Sequence, residues 1–188
     1  MARLIKRSGA VELHEPVEDS FAALVRSIMY QQLAGAAATA IHGRFLKLFA
    51  RGLSPAAVLA LPEGAMRTAG VSGPKSAAIL DLARKIEDAT VPVHDLDGLA
   101  DDELIARLVQ VRGIGPWTAE MFLIFQLRRL DIWPVDDYGI RKGWAMAHRL
   151  KEPPKPKDLA PKGEPFRPYR TIAALYCWQA VDTLLPAS

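Results

Sequence analysis

The sequence predicts an all-α fold, and three observations carry that prediction. Apolar residues recur at helical spacing along nearly the whole chain. No segment alternates apolar and polar residues for long enough to build a sheet. Glycine, proline and capping residues interrupt the chain at intervals that suit short helices joined by tight turns.

The elements follow in order. Asp19 or Ser20 caps a helix whose inward stripe is Phe21, Leu24, Val25, Ile28 and Met29, closed by Gln31, Gln32 and Leu33. Residues Ala34–Phe49 resume helical, with Ile41, Phe45 and Leu48 inward. Ser54-Pro55 starts a short helix ending near Leu61-Pro62, and Glu63–Ala69 forms another. A glycine-punctuated turn, Gly70–Lys75, leads into a helix over Ser76–Asp88 that buries Ala78, Ile79, Leu82 and Ile86. After a linker over Thr90–Gly98, Asp101 caps a helix with Leu104, Leu108 and Val111 as its core face. A tight hairpin follows, and a helix runs from Pro116 to about Leu130 with Met121, Phe122, Ile124 and Phe125 as its apolar surface. Ile132–Val135 is extended because the residue before a proline disfavours helix. Asp136-Asp137 opens a helix through Ile140 and Met146. The segment Lys151–Pro168, rich in proline and lysine, reads as a loop, and Tyr169–Leu185 is the last helix, carrying Ile172, Leu175, Tyr176, Trp178 and Val181.

Composition narrows the function classes. The 188 residues fit one domain with a sizeable core, since half of them are hydrophobic. One cysteine, Cys177, excludes an internal disulfide framework, a multi-cysteine zinc site and a four-cysteine iron–sulfur cluster, and points to a reducing cytoplasm. The polar start, Met-Ala-Arg-Leu-Ile-Lys-Arg-Ser, does not suit a signal peptide, and no apolar run reaches membrane-spanning length. Net charge is +3, but Asp81–Glu103 holds eight acidic and two basic residues. The rest of the chain therefore carries +9, enough for a surface facing a polyanion; it also suits lysines and arginines that merely solvate helix faces.

The chemistry centres on Leu108–Met121. Gly113 and Gly115 suit a positive φ or a close backbone approach, and Pro116 suits the first turn of a new helix. The N–H groups of that helix start offer a seat for phosphate without reading sequence, from Gly113, Ile114, Gly115 and Thr118. Carbonyls of Val109, Val111 and Ile114 can hold a monovalent cation beside it. The same glycines also suit a plain helix-turn-helix corner.

Val-Arg-Gly-Ile-Gly-Pro-Trp-Thr-Ala-Glu-Met (111–121) followed by Trp-Pro-Val-Asp-Asp-Tyr-Gly-Ile-Arg-Lys (133–142) resembles the helix-hairpin-helix (HhH-GPD) DNA glycosylases. Within them the chain is most similar to the 3-methyladenine DNA glycosylase II branch. The likeness extends to Ser-Ile-Met-Tyr-Gln-Gln-Leu-Ala (27–34), Gly-Val-Ser-Gly-Pro-Lys-Ser-Ala (70–77) and Tyr-Arg-Thr-Ile-Ala-Ala-Leu-Tyr-Cys-Trp (169–178). The resemblance implies a single 1–188 glycosylase domain of two helical lobes around a DNA-binding cleft. The helix-hairpin-helix would occupy about 101–130 and the catalytic loop and helix about 132–150. Larger family members add an N-terminal sheet domain, for which this chain has no room.

The resemblance also implies roles. Asp137 is the catalytic carboxylate: the family places an apolar residue three positions after it, which Ile140 satisfies, whereas Asp136 would place Gly139 there. Asp136 is then an N-cap or helix-dipole partner; both acids also suit simple capping. Trp117, Tyr138, Met121 and Trp178 form the pocket for an extruded cationic base, with Met121 standing where relatives often carry an aromatic. Trp178 equally suits a core position, and Trp133 and Trp144 read as core. Leu33 is the wedge that fills the emptied base stack, with Gln32 beside it; from the residues alone Leu33 is only a helix-end residue. Bifunctional relatives carry a lysine at the position of Trp117, so strand cleavage is not expected here. The expected function is a monofunctional glycosylase that removes alkylated purines from double-stranded DNA, acting as a cytoplasmic monomer without a cofactor, nucleoid-associated in a bacterium. Its rivals are a glycosylase for deaminated or oxidised bases and a non-catalytic DNA-binding module.

Overall fold

The computed structural model describes residues 5, 6 and 9–184. Most of the polar N-terminal octet, and the end of the last helix at Leu185, lie outside the described residues. Among the described residues every regular element is a helix, and none is long and apolar enough to cross a membrane. The chain divides into two compact units, Pro16–Phe122 and a second made of Met1–Glu15 with Leu123–Ser188.

In the first unit, helix α1 (Ser20–Tyr30) starts where Asp19 Oδ1 accepts the Ala22 N–H at 2.8 Å. Its stripe of Phe21, Leu24, Val25, Ile28 and Met29 is buried throughout, as the spacing predicts. Helix α2 (Gly35–Leu46) buries Ala38 and Phe45. It stops three residues short of the expected Phe49, because Leu48 and Phe49 turn back onto Phe45 and Leu46 by backbone bonds of 3.0 and 3.1 Å. The turn sets the Phe49 ring edge-on to Phe45 at 5.0 Å, while Ile41 and Leu48 are only half-buried.

Helix α3 (Pro55–Leu59) has Ser54 as its cap, donor Ala57 N at 3.2 Å, and Pro55 in its first turn. Helix α4 (Ala65–Thr68) follows Gly64, whose φ of 81° only glycine adopts readily. Helix α5 (Gly73–Glu87) begins three residues before the expected Ser76: Pro74 sits in its first turn, so the Gly-Pro-Lys of the predicted turn is helix. Its buried face is Ala78, Ile79, Leu82 and Ala83, with Ile86 half-buried. In helix α6 (Asp101–Leu108) the cap is Ala100 rather than Asp101. Asp101, Asp102 and Glu103 instead fill the first turn, where negative charge meets the helix dipole. Helix α7 (Pro116–Phe125) then leaves the hairpin and carries the chain out of this unit.

The second unit is organised by two helices. The first, α8 (Tyr138–His148), packs on α10 (Arg170–Leu184). Their backbones approach so closely that a Cβ on Gly143 would lie 1.8 Å from the Cys177 carbonyl oxygen. Trp133, Ile140, Trp144, Leu159, Ala173, Ala174 and Cys177 form its core; Trp133 and Trp144 are thus core residues as expected. Burial pushes the Cys177 thiol up to about 12, which removes it from thiolate chemistry.

Two expectations fail in this unit. Helix α7 ends at Phe125, not near Leu130; Arg128 takes a left-handed φ of 55°, and Arg129 N–H closes the turn on the Leu123 carbonyl at 2.9 Å. The segment expected to be a loop, Lys151–Pro168, contains helix α9 (Pro156–Leu159) and a 3₁₀ run over Ala160–Phe166. Trp133 gathers it: its indole N–H donates to the Leu159 carbonyl at 3.2 Å, and a Cβ on Gly163 would meet the ring at 2.6 Å.

Asp131 ties the α10 start to the chain after α7. It accepts both arms of the Arg170 guanidinium (2.7 and 3.0 Å) and one of Arg167 (2.6 Å). Burial opposes its charge, yet the Arg170 side-chain and backbone bonds, with the charges of Arg170 and Arg167, hold its carboxyl below the usual aspartate range. A depressed pKa contributes stability that is present above the unfolded value, 3.8, and lost as pH falls through the folded one. Asp131→Asn should therefore cost about 1–3 kcal/mol at neutral pH, with the gap to wild type closing in acid, measured by urea unfolding across pH. Gly143→Ala should cost about 3 kcal/mol in the same assay, because the added methyl meets backbone. Gly98→Ala, with open space at its Cβ, should stay within about 0.5 kcal/mol.

Candidate active site and nucleic-acid interface

The hairpin between α6 and α7 is built from its core side outward. Val111 and Ile114 are buried and pin it from below, while Val111 carbonyl accepts the Ile114 N–H at 3.0 Å to make the turn. Gly113 takes φ of 80°, so the turn requires glycine there. Gly115 does not: its φ is ordinary, and a Cβ would meet open space. Its carbonyl accepts the Ala119 N–H at 3.0 Å, so it sits where α7 begins. Thr118 is buried, which leaves backbone rather than hydroxyl as the hairpin's main offer to an anion. Val111 uses one carbonyl lone pair in the turn and keeps a second. No cluster of His, Cys, Asp or Glu that could hold a metal occurs among the described residues.

Two side chains that the sequence reading did not single out hold this hairpin. Asp81 of α5 accepts the Arg112 N–H at 2.8 Å and pairs with Lys85 at 2.7 Å. Burial opposes its charge, but the Arg112 N–H bond and Lys85 hold the carboxyl below its usual range. From the residue that caps the end of α1, Gln31, Nε2 donates to the Gly113 carbonyl at 3.0 Å. No local signal marks either residue, because their partners lie 31 and 82 positions away in the chain.

Beside the hairpin a cavity of about 610 Å³ is lined by Arg26, Ser27, Tyr30, Gln31, Gln32, Gly113, Trp117, Thr118 and Met121. It brings together Trp117, Met121, Gln32, Gly113 and Thr118 of the expected site residues, in one unit. Trp117 keeps 47% of its surface exposed, which is unusual for a tryptophan on a helix of this apolar character. A half-bare indole at a cavity wall is a plate on which a flat ring can stack. Tyr30 is fixed by Thr39 (3.1 Å) and by the edge of His42. Leu33 lines a second hollow, about 220 Å³, and stays 40% exposed; Gln32 before it is exposed, with a left-handed φ of 56°.

In the other unit Asp137, Tyr138 and Trp178 come together. Asp137, not Asp136, caps α8: its Oδ1 accepts the Ile140 N–H at 2.8 Å. Asp136 lies exposed in the preceding turn, so its expected role as the cap is corrected. The reason is spacing, since a cap bonds the residue three ahead, and Ile140 is the buried anchor of α8. The same Oδ1 accepts the Trp178 indole N–H at 2.9 Å. Trp178 in turn stacks on Phe125 at 5.6 Å and crosses α8 at Gly139, where a Cβ would meet both the indole (2.8 Å) and Asp137 Oδ1 (3.0 Å). Trp178 is thus half-buried and bonded to the carboxylate. Tyr138 is 58% exposed, with the Arg141 guanidinium 5.6 Å from its ring centre.

Comparison with known proteins sets these features in a family. Residues 25–168 match the model of the HhH-GPD superfamily base excision DNA repair proteins. The chain is 36% identical to DNA-3-methyladenine glycosylase 1 of Schizosaccharomyces pombe over 186 residues, spanning 94% of this chain and 80% of that protein. The solved structure of a DNA-3-methyladenine glycosidase from Bacillus halodurans superposes with a TM-score of 0.91 at 35% identity, over 97% of this chain and 84% of that one. A 3-methyladenine DNA glycosylase (Mag1) from Schizosaccharomyces pombe, in complex with abasic DNA, gives 0.83 at 32% identity, over 100% and 93%. With most of its length matched both in sequence and in fold, the chain belongs to the HhH-GPD superfamily of base excision DNA repair proteins.

Proposed function

We propose that the protein is a monofunctional DNA glycosylase that hydrolyses the N-glycosidic bond of alkylated purines in duplex DNA. The observation that carries the reading is the anchorage of Asp137. Two donors, Ile140 N–H and the Trp178 indole, fix its Oδ1 at the start of α8, in a chain whose relatives are named for 3-methyladenine. A fixed carboxylate of this kind fits a reaction in which positive charge grows on a sugar.

In this reading the hairpin N–H groups of Gly113–Gly115 and the start of α7 hold a phosphate near the lesion, and a monovalent cation on the Val109, Val111 and Ile114 carbonyls would lower the charge there further. Leu33 and Gln32 fill the space that the extruded nucleotide leaves. The base stacks against Trp117, with Met121 in the same cavity wall; Tyr138 and Trp178 are the aromatic side chains beside Asp137 in its own unit; stacking and cation–π attraction supply about 1–3 kcal/mol. The C1′–N bond breaks with its electron pair going to the base, which cancels the charge that alkylation placed on the ring. The Asp137 carboxylate stabilises the oxocarbenium character left on the deoxyribose. A water oxygen then bonds C1′ and releases its proton, leaving a hydroxyl at an abasic site. With tryptophan at position 117, no amine stands there to form a Schiff base, so the strand stays intact. Because a cationic base leaves readily, one carboxylate suffices. We read the protein as cytoplasmic, or nucleoid-associated in a bacterium.

Mass spectrometry of bases released from methylated duplex DNA tests this directly. Wild type should liberate methylated purines and leave abasic sites without strand breaks. Asp137→Asn, which keeps an oxygen for the Ile140 N–H, should fall by about 100-fold or more in single-turnover rate. No release from any methylated base by the wild type, or an Asp137→Asn rate equal to wild type, refutes the reading. Trp178→Phe, which keeps an aromatic ring but removes the indole N–H together with its five-membered ring, should slow the chemical step by about tenfold, a loss of roughly 1.4 kcal/mol, while leaving affinity for abasic DNA within about twofold.

A further inference from the structure

Lys75 lies in the first turn of α5, the wrong end of its own helix for a cation. Its ammonium does not serve that helix. It reaches the C-terminal end of α1 and donates to the Met29 carbonyl at 2.6 Å and the Gln31 carbonyl at 2.8 Å. These lie at the negative end of α1, where a cation is favoured. Burial lowers the Lys75 pKa, so the protein places this charge against a desolvation cost. The next residue, Gln32, holds the left-handed φ that a residue with a side chain rarely adopts, and such conformations persist where surrounding contacts impose them. Gln31, whose carbonyl Lys75 grips, sends its own side chain to the Gly113 carbonyl of the hairpin. One residue is thus bonded on its main chain to α5 and through its side chain to the phosphate-binding turn.

We propose that Lys75 and Gln31 form a positioning clasp that fixes the Gln32-Leu33 turn in register with the hairpin, so that the wedge is set before DNA arrives. Lys75 touches no reacting atom in this scheme; it acts through the turn. The inference rests on the reading of Leu33 as a wedge. Its consequence is specific: the clasp governs filling of the emptied stack and the chemical step that depends on it, and leaves phosphate binding by the hairpin largely alone.

Two measurements test it. In the free protein, amide hydrogen exchange at residues 32–34 should rise about tenfold in Lys75→Met, while core amides of α1 and α5 keep their protection; Lys75→Arg, which retains a cation, should remain near wild type. The second uses a duplex with 2-aminopurine opposite a tetrahydrofuran abasic site, where entry of the wedge changes the fluorescence. Lys75→Met should lose most of that change and slow base release about tenfold, with affinity for the intact duplex within about twofold. Gln31→Leu removes the side-chain bond to Gly113 while keeping the main-chain carbonyl that Lys75 grips, and it should reproduce the fluorescence loss, which keeps the proposal testable if Lys75→Met does not fold. Wild-type exchange and fluorescence in Lys75→Met, or a wild-type signal in Gln31→Leu, overturns the clasp. A Leu33→Ala protein with a wild-type signal overturns the wedge reading itself, and the clasp's purpose with it; the glycosylase reading stands or falls separately on base release.

Discussion

The role we propose for Asp137 requires a carboxylate that is not loose, and the contacts of its Oδ1 meet that constraint. One bond comes from the α8 backbone and the other from an indole on α10, so the acid is fixed by the two helices that build its unit. Their crossing depends on Gly139 and Gly143, where side chains would collide with Trp178, Asp137 and the Cys177 carbonyl. The position of the acid is therefore a consequence of helix packing rather than of a loop's local preference. Preorganisation of this kind is most effective when the supporting groups are themselves packed.

The hairpin follows the same logic with different parts. Its own residues supply a left-handed glycine, a helix start and two buried aliphatic side chains. Its placement comes from outside: Asp81 holds the Arg112 N–H, and Gln31 holds the Gly113 carbonyl. Backbone groups that read phosphate carry no sequence information, so a site using them must gain its selectivity elsewhere. In the function we propose, the cavity beside Trp117 takes that part, and Met121 in its wall gives a softer, more adaptable surface than an aromatic ring would.

Much of this was legible in the sequence because it is local. The α1 stripe, the Ser54 cap, the buried Leu104, Leu108 and Val111, and the glycine-proline hairpin all depend on residues within a turn of one another. The fold class follows from them, and the family resemblance from the motifs at 111–121 and 133–142. The misjudged positions are those decided at long range. Nothing near Leu159 announces that the Trp133 indole will bond it, so Lys151–Pro168 read as a loop. Helix α6 starts one residue earlier than the capping rule places it, with Ala100 at the cap and Asp101 in the first turn. Asp136 and Asp137 are separable in the sequence through the apolar Ile140, three positions after Asp137 and buried in the fold. Lys75, Gln31 and Asp81 were invisible for the same reason: each acts on a partner more than thirty positions away.

The electrostatic role of Asp137 is the claim on which the account turns, and affinity for a charged sugar mimic tests it most directly. Two duplexes are compared, one with a neutral tetrahydrofuran at the lesion position and one with a cationic pyrrolidine in its place. Wild type should bind the cationic duplex tighter by roughly 10–100-fold, and Asp137→Asn should lose that preference while binding the neutral duplex as before. Equal preference for the cation in both proteins would contradict the account, because the charge being recognised would then belong to some other group.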